Sequence, residues 1–319
     1  MKLRNFLKCG LAVVAFAVTL GGCGGSDDDE DEGFPSSATI ATVAKEQGFN
    51  ALLAAVTKAS IGSFSDPNAQ LTVFAPTDQA FDTLAKQLGF ADATAMVNAL
   101  PPNTLQSILN YHVLGSKKLA ADLKAGGQTQ ATAYTFENAP ATLRFDFSNG
   151  AKITDAALTV ANIVTPDIPA GNSVIHGIDK VLIPPGVLNV VQMAQVNPLF
   201  SSLVSALVLA DLQGTLSGAG PFTVFAPTNA AFAAAPQNLS TAQLRTVLTY
   251  HVVPGQVLST QIPYDTPVPT ASMQTISFAA GTPPAIRDTT STLANIVAVD
   301  VRASNGVIHV IDKVLIPTL

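Results

Sequence analysis

Thr72-Val73-Phe74-Ala75-Pro76-Thr77 (TVFAPT) and Thr223-Val224-Phe225-Ala226-Pro227-Thr228 (TVFAPT) are one hexapeptide written twice, 151 positions apart. Working outward from it, Tyr111-His112-Val113 returns as Tyr250-His251-Val252, now at an offset of 139. The segment 174–184 (VIHGIDKVLIP) returns at 307–317 (VIHVIDKVLIP), an offset of 133 with ten of eleven residues matching. Ala161-Asn162-Ile163-Val164 and Ala294-Asn295-Ile296-Val297 share that last offset. The falling offset means that the first copy carries about twelve extra residues before its Tyr-His pair and six more after it. The surplus near 86–101, with Gly89 and Pro101-Pro102, predicts an added helix or loop. This period is far longer than that of a solenoid repeat, so the chain reads as two duplicated domains.

Local patterning says what each copy contains. Phe49, Leu52, Leu53 and Val56 fall at i, i+3, i+4 and i+7, and Phe200, Leu203, Val204 and Leu207 repeat the spacing. That is an amphipathic helix with one buried stripe. The hexapeptide predicts a short strand, 71–74 or 222–225, stopped by Pro76 or Pro227. Thr77-Asp78 or Thr228-Asn229 then caps a helix carrying Phe81 or Phe232 inward. A second helix leads into Tyr-His through Leu105, Ile108 and Leu109, or Leu244, Val247 and Leu248. The last third of each copy is rich in Thr, Val and Ile broken by Gly, Pro and Asn-Gly, which reads as strands and turns. Helices first and strands last make an α+β domain. The boundary falls near Pro184-Pro185-Gly186, giving domains over 36–185 and 186–319, with the two prolines stiffening the connector.

The 319 residues carry 16 Lys and Arg against 22 Asp and Glu, a net charge of −6. No basic excess is available to neutralise phosphates, which argues against a nucleic-acid partner. Residues 1–22 read as a secretory signal: Lys2, Arg4 and Lys8 precede the short apolar stretch 11–20 (LAVVAFAVTL), too short to span a bilayer. The run Leu20-Gly21-Gly22-Cys23 resembles the bacterial lipoprotein signal, in which cleavage precedes an acylated cysteine. Cys23 is then the expected lipidation site, and two or more acyl chains suffice for stable anchoring. Cleavage would leave 13 basic against 22 acidic residues, a net −9. Residues 23–35, with six consecutive acids at 27–32, read as a solvated tether. The resemblance to lipoproteins places the protein outside the cytoplasm, and Gly24 after the cysteine points to the outer membrane or cell surface if the host has an outer membrane.

The three blocks, in order and in both copies, resemble the fasciclin domain, marked by TVFAPT[ND]xAF, a central Tyr-His and a closing VIHxIDxVLxP. That resemblance implies tandem domains, each a wedge-shaped β-sandwich with a helical layer, and a role in adhesion or ligand binding at cell surfaces rather than an enzyme. It also implies partner contacts near Tyr111, His112 and Val113, near Tyr250, His251 and Val252, and at the Asp-Ile pair before the closing strand. Asp167-Ile168 matches that pair, and Asp300-Val301 matches it more loosely.

All four histidines lie in these blocks: His112, His176, His251 and His309. No HExxH, CxxC, DxDxDG or GxSxG pattern accompanies them, so no metal, cofactor or catalytic residue is expected. Asp179 and Asp312 follow a histidine by three positions, which on a strand puts the two side chains on opposite faces. The histidines read instead as core polar groups bonded to backbone or Tyr, and the Tyr-His pairs as shaping the surface from beneath. The expected function is a lipid-anchored envelope protein that adheres to an envelope or matrix protein or glycan. The alternative is a carrier of a hydrophobic small molecule, lipid or pigment, in keeping with a mean hydropathy of +0.36.

Overall fold

The computed structural model describes residues 38–236 and 238–319; the signal-like segment 1–22, Cys23 and the acidic tether of 23–35 lie outside the described residues. The first copy runs α1 (Ile40–Glu46), α2 (Asn50–Ala59), β1 (Thr72–Pro76), α3 (Asp78–Gln87), α4 (Ala93–Ala99), α5 (Pro102–Tyr111), β2 (Val113–Leu114), α6 (Ala120–Ala125), β3 (Thr129–Phe136), β4 (Ala139–Asp146), β5 (Lys152–Thr154), β6 (Val160–Ala170) and β7 (Ser173–Ile178). The second runs α7 (Val190–Val196), α8 (Ser201–Leu209), α9 (Gln213–Ser217), β8 (Phe222–Pro227), α10 (Asn229–Ala233), α11 (Thr241–Tyr250), β9 (Val252–Pro254), β10 (Val268–Pro269), β11 (Thr275–Ala279), β12 (Ala285–Arg287), β13 (Ala294–Ala303) and β14 (Gly306–Ile311).

The hexapeptide is a strand buried on both faces, and its letters explain why. Val73 and Ala75 point into the apolar cluster of the helical layer, while Phe74 between them points into a second cluster with Leu143, Phe145 and Ile153. Val224, Phe225 and Ala226 divide in the same way. This is the period-2 alternation of a strand with two apolar sides. The Thr72 hydroxyl donates to Ser116 O (2.7 Å) and accepts from Lys118 N (2.8 Å), tying down the chain beyond β2. Thr223 does the same with Gly255 O and Val257 N. Thr77 and Thr228 cap α3 and α10 by accepting from Ala80 N and Ala231 N. The strands reach Pro76 and Pro227 themselves rather than stopping short of them.

Each copy has seven strands in the order β2-β1-β7-β6-β5-β4-β3, matched by β9-β8-β14-β13-β12-β11-β10. Pairing is antiparallel except between β1 and β7 and between β8 and β14. The long strands β6 and β13 are bent by register shifts, and the sheet folds back over itself there. The rings prove the fold-over. Phe74 on β1 and Phe145 on β4 are four strands apart, ~19 Å in a flat sheet at ~4.8 Å per strand. Their centroids lie 5.6 Å apart, and those of Phe225 and Phe278 lie 5.5 Å apart. The result is an α+β fold in which a β-sandwich carries a helical layer on one side. One departure from the helices-first expectation is α6, which follows the Tyr-His pair.

The surplus of the first copy is α4, which buries Ala93, Met96 and Val97; among the described residues no helix stands between α10 and α11. The connector is held by more than its prolines. Gly186 has φ +75°, and a Cβ there would lie 2.2 Å from the Phe136 ring. Gly186 N donates to Arg302 O (3.0 Å), Tyr134 Oη to Pro185 O (3.2 Å) and Asn197 Nδ2 to Ala157 O (2.8 Å). The Arg302 guanidinium lies 5.4 Å from the Phe136 ring centroid and pairs with Glu137. A single buried apolar cluster takes residues from both helical layers, among them Val97, Leu188, Met193 and Leu207.

Candidate functional site

The Tyr-His pairs end α5 and α11, and both turn inward. The Tyr111 hydroxyl donates to Thr142 O at 2.9 Å, and Tyr250 to Thr275 O at 2.8 Å. Burial raises both phenols, Tyr250 to about 12. The next ring joins the helix to the closing segment. His112 Nε2 accepts from Leu182 N at 2.8 Å, so its Nδ1–H donates to Ile108 O at 2.7 Å. His251 repeats this with Leu315 N (2.8 Å) and Val247 O (2.8 Å). Burial pushes both imidazoles down to about 4. Each stays neutral at pH 7 with both nitrogens committed to backbone.

His176 and His309 sit at the bends of β6 and β13. His176 Nδ1 accepts from Asp167 N (3.1 Å) and its Nε2–H donates to Lys118 O (3.0 Å). His309 stands in the same relation to Asp300 N and Val257 O. Burial lowers both rings as well. Asp167 and Asp300 take φ +58°, and their carboxylates turn to accept from Ala120 N (2.8 Å) and Ser259 N (2.9 Å). The bulge, the histidine and the start of the following segment thus form one locked unit. Asp179 and Asp312 point elsewhere, each accepting from the backbone and side-chain amide of Asn162 or Asn295. Neither Asp179 nor Asp312 therefore pairs with its neighbouring histidine; the carboxylate near His176 is that of Asp167, whose Oδ1 lies 3.8 Å from Nδ1.

The structure therefore separates the predicted contact residues. Tyr111, His112, Val113, Tyr250, His251 and Val252 are buried, as are Ile168 and Val301. All eight side chains lie beneath the surface of the folded domains. Asp167, with 41% of its side chain exposed, remains at the surface beside Val164, which is 52% exposed. Val297 (54%) and Val299 (41%) flank Asp300 on the second bend. Among the described residues, no three His, Cys, Asp or Glu side chains come together as a metal site.

Two further features escaped the sequence reading. Asp155 is buried and accepts from Ala157 N, Thr159 N, Thr159 Oγ1 and Ile183 N; burial raises it to about 6. At its repeat partner Asp288, burial also pushes upward, but Lys313 Nζ at 2.6 Å and bonds from Thr290 and Ile316 hold the carboxyl below its ordinary value. The second feature is a cavity of 540 Å³ bounded by α8, α10, α11 and the segment at Val314 and Ile316. None of the predicted contact residues lines it, although the helix residues Phe232, Leu244 and Val247 do. Its signal was the replacement of Lys58 and Asp82 by Leu209 and Ala233, 151 positions on.

Comparison with known proteins places this architecture. The sequence model of the fasciclin domain matches residues 47–184 and 198–317. The chain is 39% identical over 142 residues to protein sll1483 of Synechocystis, covering 41% of this chain and 75% of that protein. It is 38% identical over 133 residues to the cell surface glycolipoprotein MPB83 of Mycobacterium bovis, covering 38% of this chain and 57% of that one. Across both copies it is 27% identical over 255 residues to the pig (Sus scrofa) transforming growth factor-beta-induced protein ig-h3, covering 77% of this chain and 34% of that protein. Among solved structures, a FAS1 domain pair from the insect cell adhesion molecule fasciclin I aligns over 86% of this chain and 97% of that chain, at 17% identity and a TM-score of 0.42. The chain belongs to the fasciclin family, with two fasciclin domains in tandem.

Proposed function

We propose that this protein is a lipid-anchored, extracytoplasmic adhesion protein that holds an envelope or matrix protein or glycan through the bent strands of its two fasciclin domains. One observation carries the reading: each domain exposes an aliphatic ridge beside a fixed aspartate, Val164 with Asp167 and Val297 with Asp300, on a bulge locked from below by a buried histidine. Two such ridges on one chain raise the effective concentration of a weak contact, a physical reason for the duplication. The acylation signal ending at Cys23 supports anchoring, and the relative MPB83 is by name a cell surface glycolipoprotein. The chemistry of the histidines supports a binding rather than a catalytic role, since their ring nitrogens are all spent on backbone groups.

Attachment of cells carrying the wild type is to be compared with that of cells carrying Cys23→Ser or the pair Val164→Asp and Val297→Asp. Loss of attachment in both supports the reading. Attachment that survives both changes removes it. A second reading, carriage of a hydrophobic small molecule, is favoured by the 540 Å³ cavity of the second domain. That volume lies within the ~300–1,000 Å³ of ligand pockets.

A further inference from the structure

We propose that the cavity of the second domain is a binding site for a neutral, largely hydrocarbon small molecule, seated where the first domain carries helix α4. The site deepens the carriage reading and is independent of adhesion.

The first domain shows what normally fills this place. There α4 lies against α2 and α3 and is pinned at both ends. Asp82 Oδ1 accepts from Ala93 N (2.9 Å) at its start, and Lys58 Nζ donates to Val97 O (2.9 Å) and Asn98 O (2.6 Å) at its end. A groove of 260 Å³ remains, lined by Ala51, Ala54, Asp78, Asp82 and residues of α4. In the second domain the repeat partners Ser202, Ser205, Asn229 and Ala233 line the 540 Å³ cavity instead. The helix is gone, and so are both of its anchors: Asp82 has become Ala233 and Lys58 has become Leu209, and both line the cavity.

Loss of the anchors selects the class of occupant. A helix docking from a partner would bring unpaired N–H groups at one end and carbonyls at the other. This wall no longer holds either. A hydrocarbon body has no such ends, and Phe232, Leu244, Val247 and Ile316 offer it apolar contact. Two of the polar side chains in the lining are engaged, and Ser202 and Asn238 add a hydroxyl and an amide. Asn229 Oδ1 accepts from Ser202 N and its Nδ2 donates to Pro198 O, while Ser205 Oγ donates to Ser201 O. No charged side chain is among the described lining residues, so a charged ligand would be desolvated without a partner. The rim is apolar too. Leu209 is 69% and Val208 54% exposed, where the first domain has Lys58 and Thr57.

The test uses the full chain and the neutral fluorophore N-phenylnaphthylamine, with its sulfonated analogue as the charged comparison. Saturable binding of the neutral probe, weaker for the sulfonate, is expected. Leu209→Lys and Ala233→Asp restore the first-domain residues at exposed positions, so the fold is kept, which an unchanged melting temperature verifies. Each is expected to weaken the neutral probe by about tenfold or more. Met273→Lys, at a 94% exposed position outside the cavity, is expected to leave binding unchanged. Undiminished binding in both cavity variants overturns this site while leaving carriage standing elsewhere on the chain. Absence of saturable binding to the wild type overturns carriage itself. Displacement of the probe by a synthetic peptide of residues 90–100 assigns the cavity to a helix and overturns the small-molecule class.

Discussion

The two domains share their motifs and differ in what lies over them. Beneath the surface, His112 and His251 make the same pair of backbone bonds, and Phe74 and Phe225 fill the same sandwich core. Above it, the first domain carries a pinned helix and a buried carboxyl held by amide and hydroxyl donors, whereas the second carries an open apolar cavity and a lysine-paired carboxyl. Repetition within one chain thus sorts residues by job. What recurs is scaffold, and the proposed ligand site lies where the two copies differ.

Equality of the scaffolds is the part of this comparison that mutation tests most severely. His112→Ala and His251→Ala each strand a buried N–H and a buried C=O and leave a cavity. Each is expected to cost about 3–5 kcal/mol, and by similar amounts, in urea or thermal unfolding. A large inequality would show that one histidine has a duty the other lacks.

The same rings set the response to acid. With folded values of about 4 against ~6.5 unfolded, His112 and His251 take up protons more readily in the unfolded chain. Their contribution is complete above about pH 6.5 and is lost as pH falls toward 4, roughly 3 kcal/mol for each ring. Asp155 works in the opposite direction. Its folded value of about 6 exceeds ~3.9, so its cost is present above about pH 6 and relieved below it. Two strongly shifted histidines, joined by the lowered His176 and His309, outweigh one aspartate. The melting temperature is expected to fall from pH 7 to pH 4.5 and to fall further in Asp155→Asn.

Asp288→Asn is expected to destabilise at pH 7 by about 1–2 kcal/mol more than Asp155→Asn, because it also leaves Lys313 without its carboxylate. Equal losses in denaturant melts would mean that the lysine adds nothing. The smallest effect concerns the helix. Lys58→Leu removes the cation bonded to the last carbonyls of α4 and is expected to cost about 0.5–1 kcal/mol. Faster amide exchange confined to residues 93–100 would report it.

Much of this was legible because the chain repeats itself. Two copies of TVFAPT announce a strand and a helix cap, and the drop in offset marks 86–101 as an added helix or loop, where α4 lies. The reading of the histidines as core polar groups bonded to backbone agrees with the inward turn of His112 and His251. The partners themselves were not legible. Leu182 N lies 70 residues from His112 along the chain, and only the β7 crossover brings them together. Asp167 stands beside Pro166, but Asp300 adopts the same φ with no proline beside it. The His176 and His309 bonds explain both. The cavity was missed because it is made by a deletion, and a missing helix leaves no residue to notice; its trace is two anchors turned apolar.

Whether the shared motifs are scaffold is decided by titrating the four imidazoles by NMR in the full chain. Burial with committed nitrogens predicts that His112 and His251 stay neutral to about pH 4 and that His176 and His309 also titrate below 6.5. Histidines that titrate near 6.5 and shift with solvent exposure would contradict it, and would return the Tyr-His pairs to the surface as contacts.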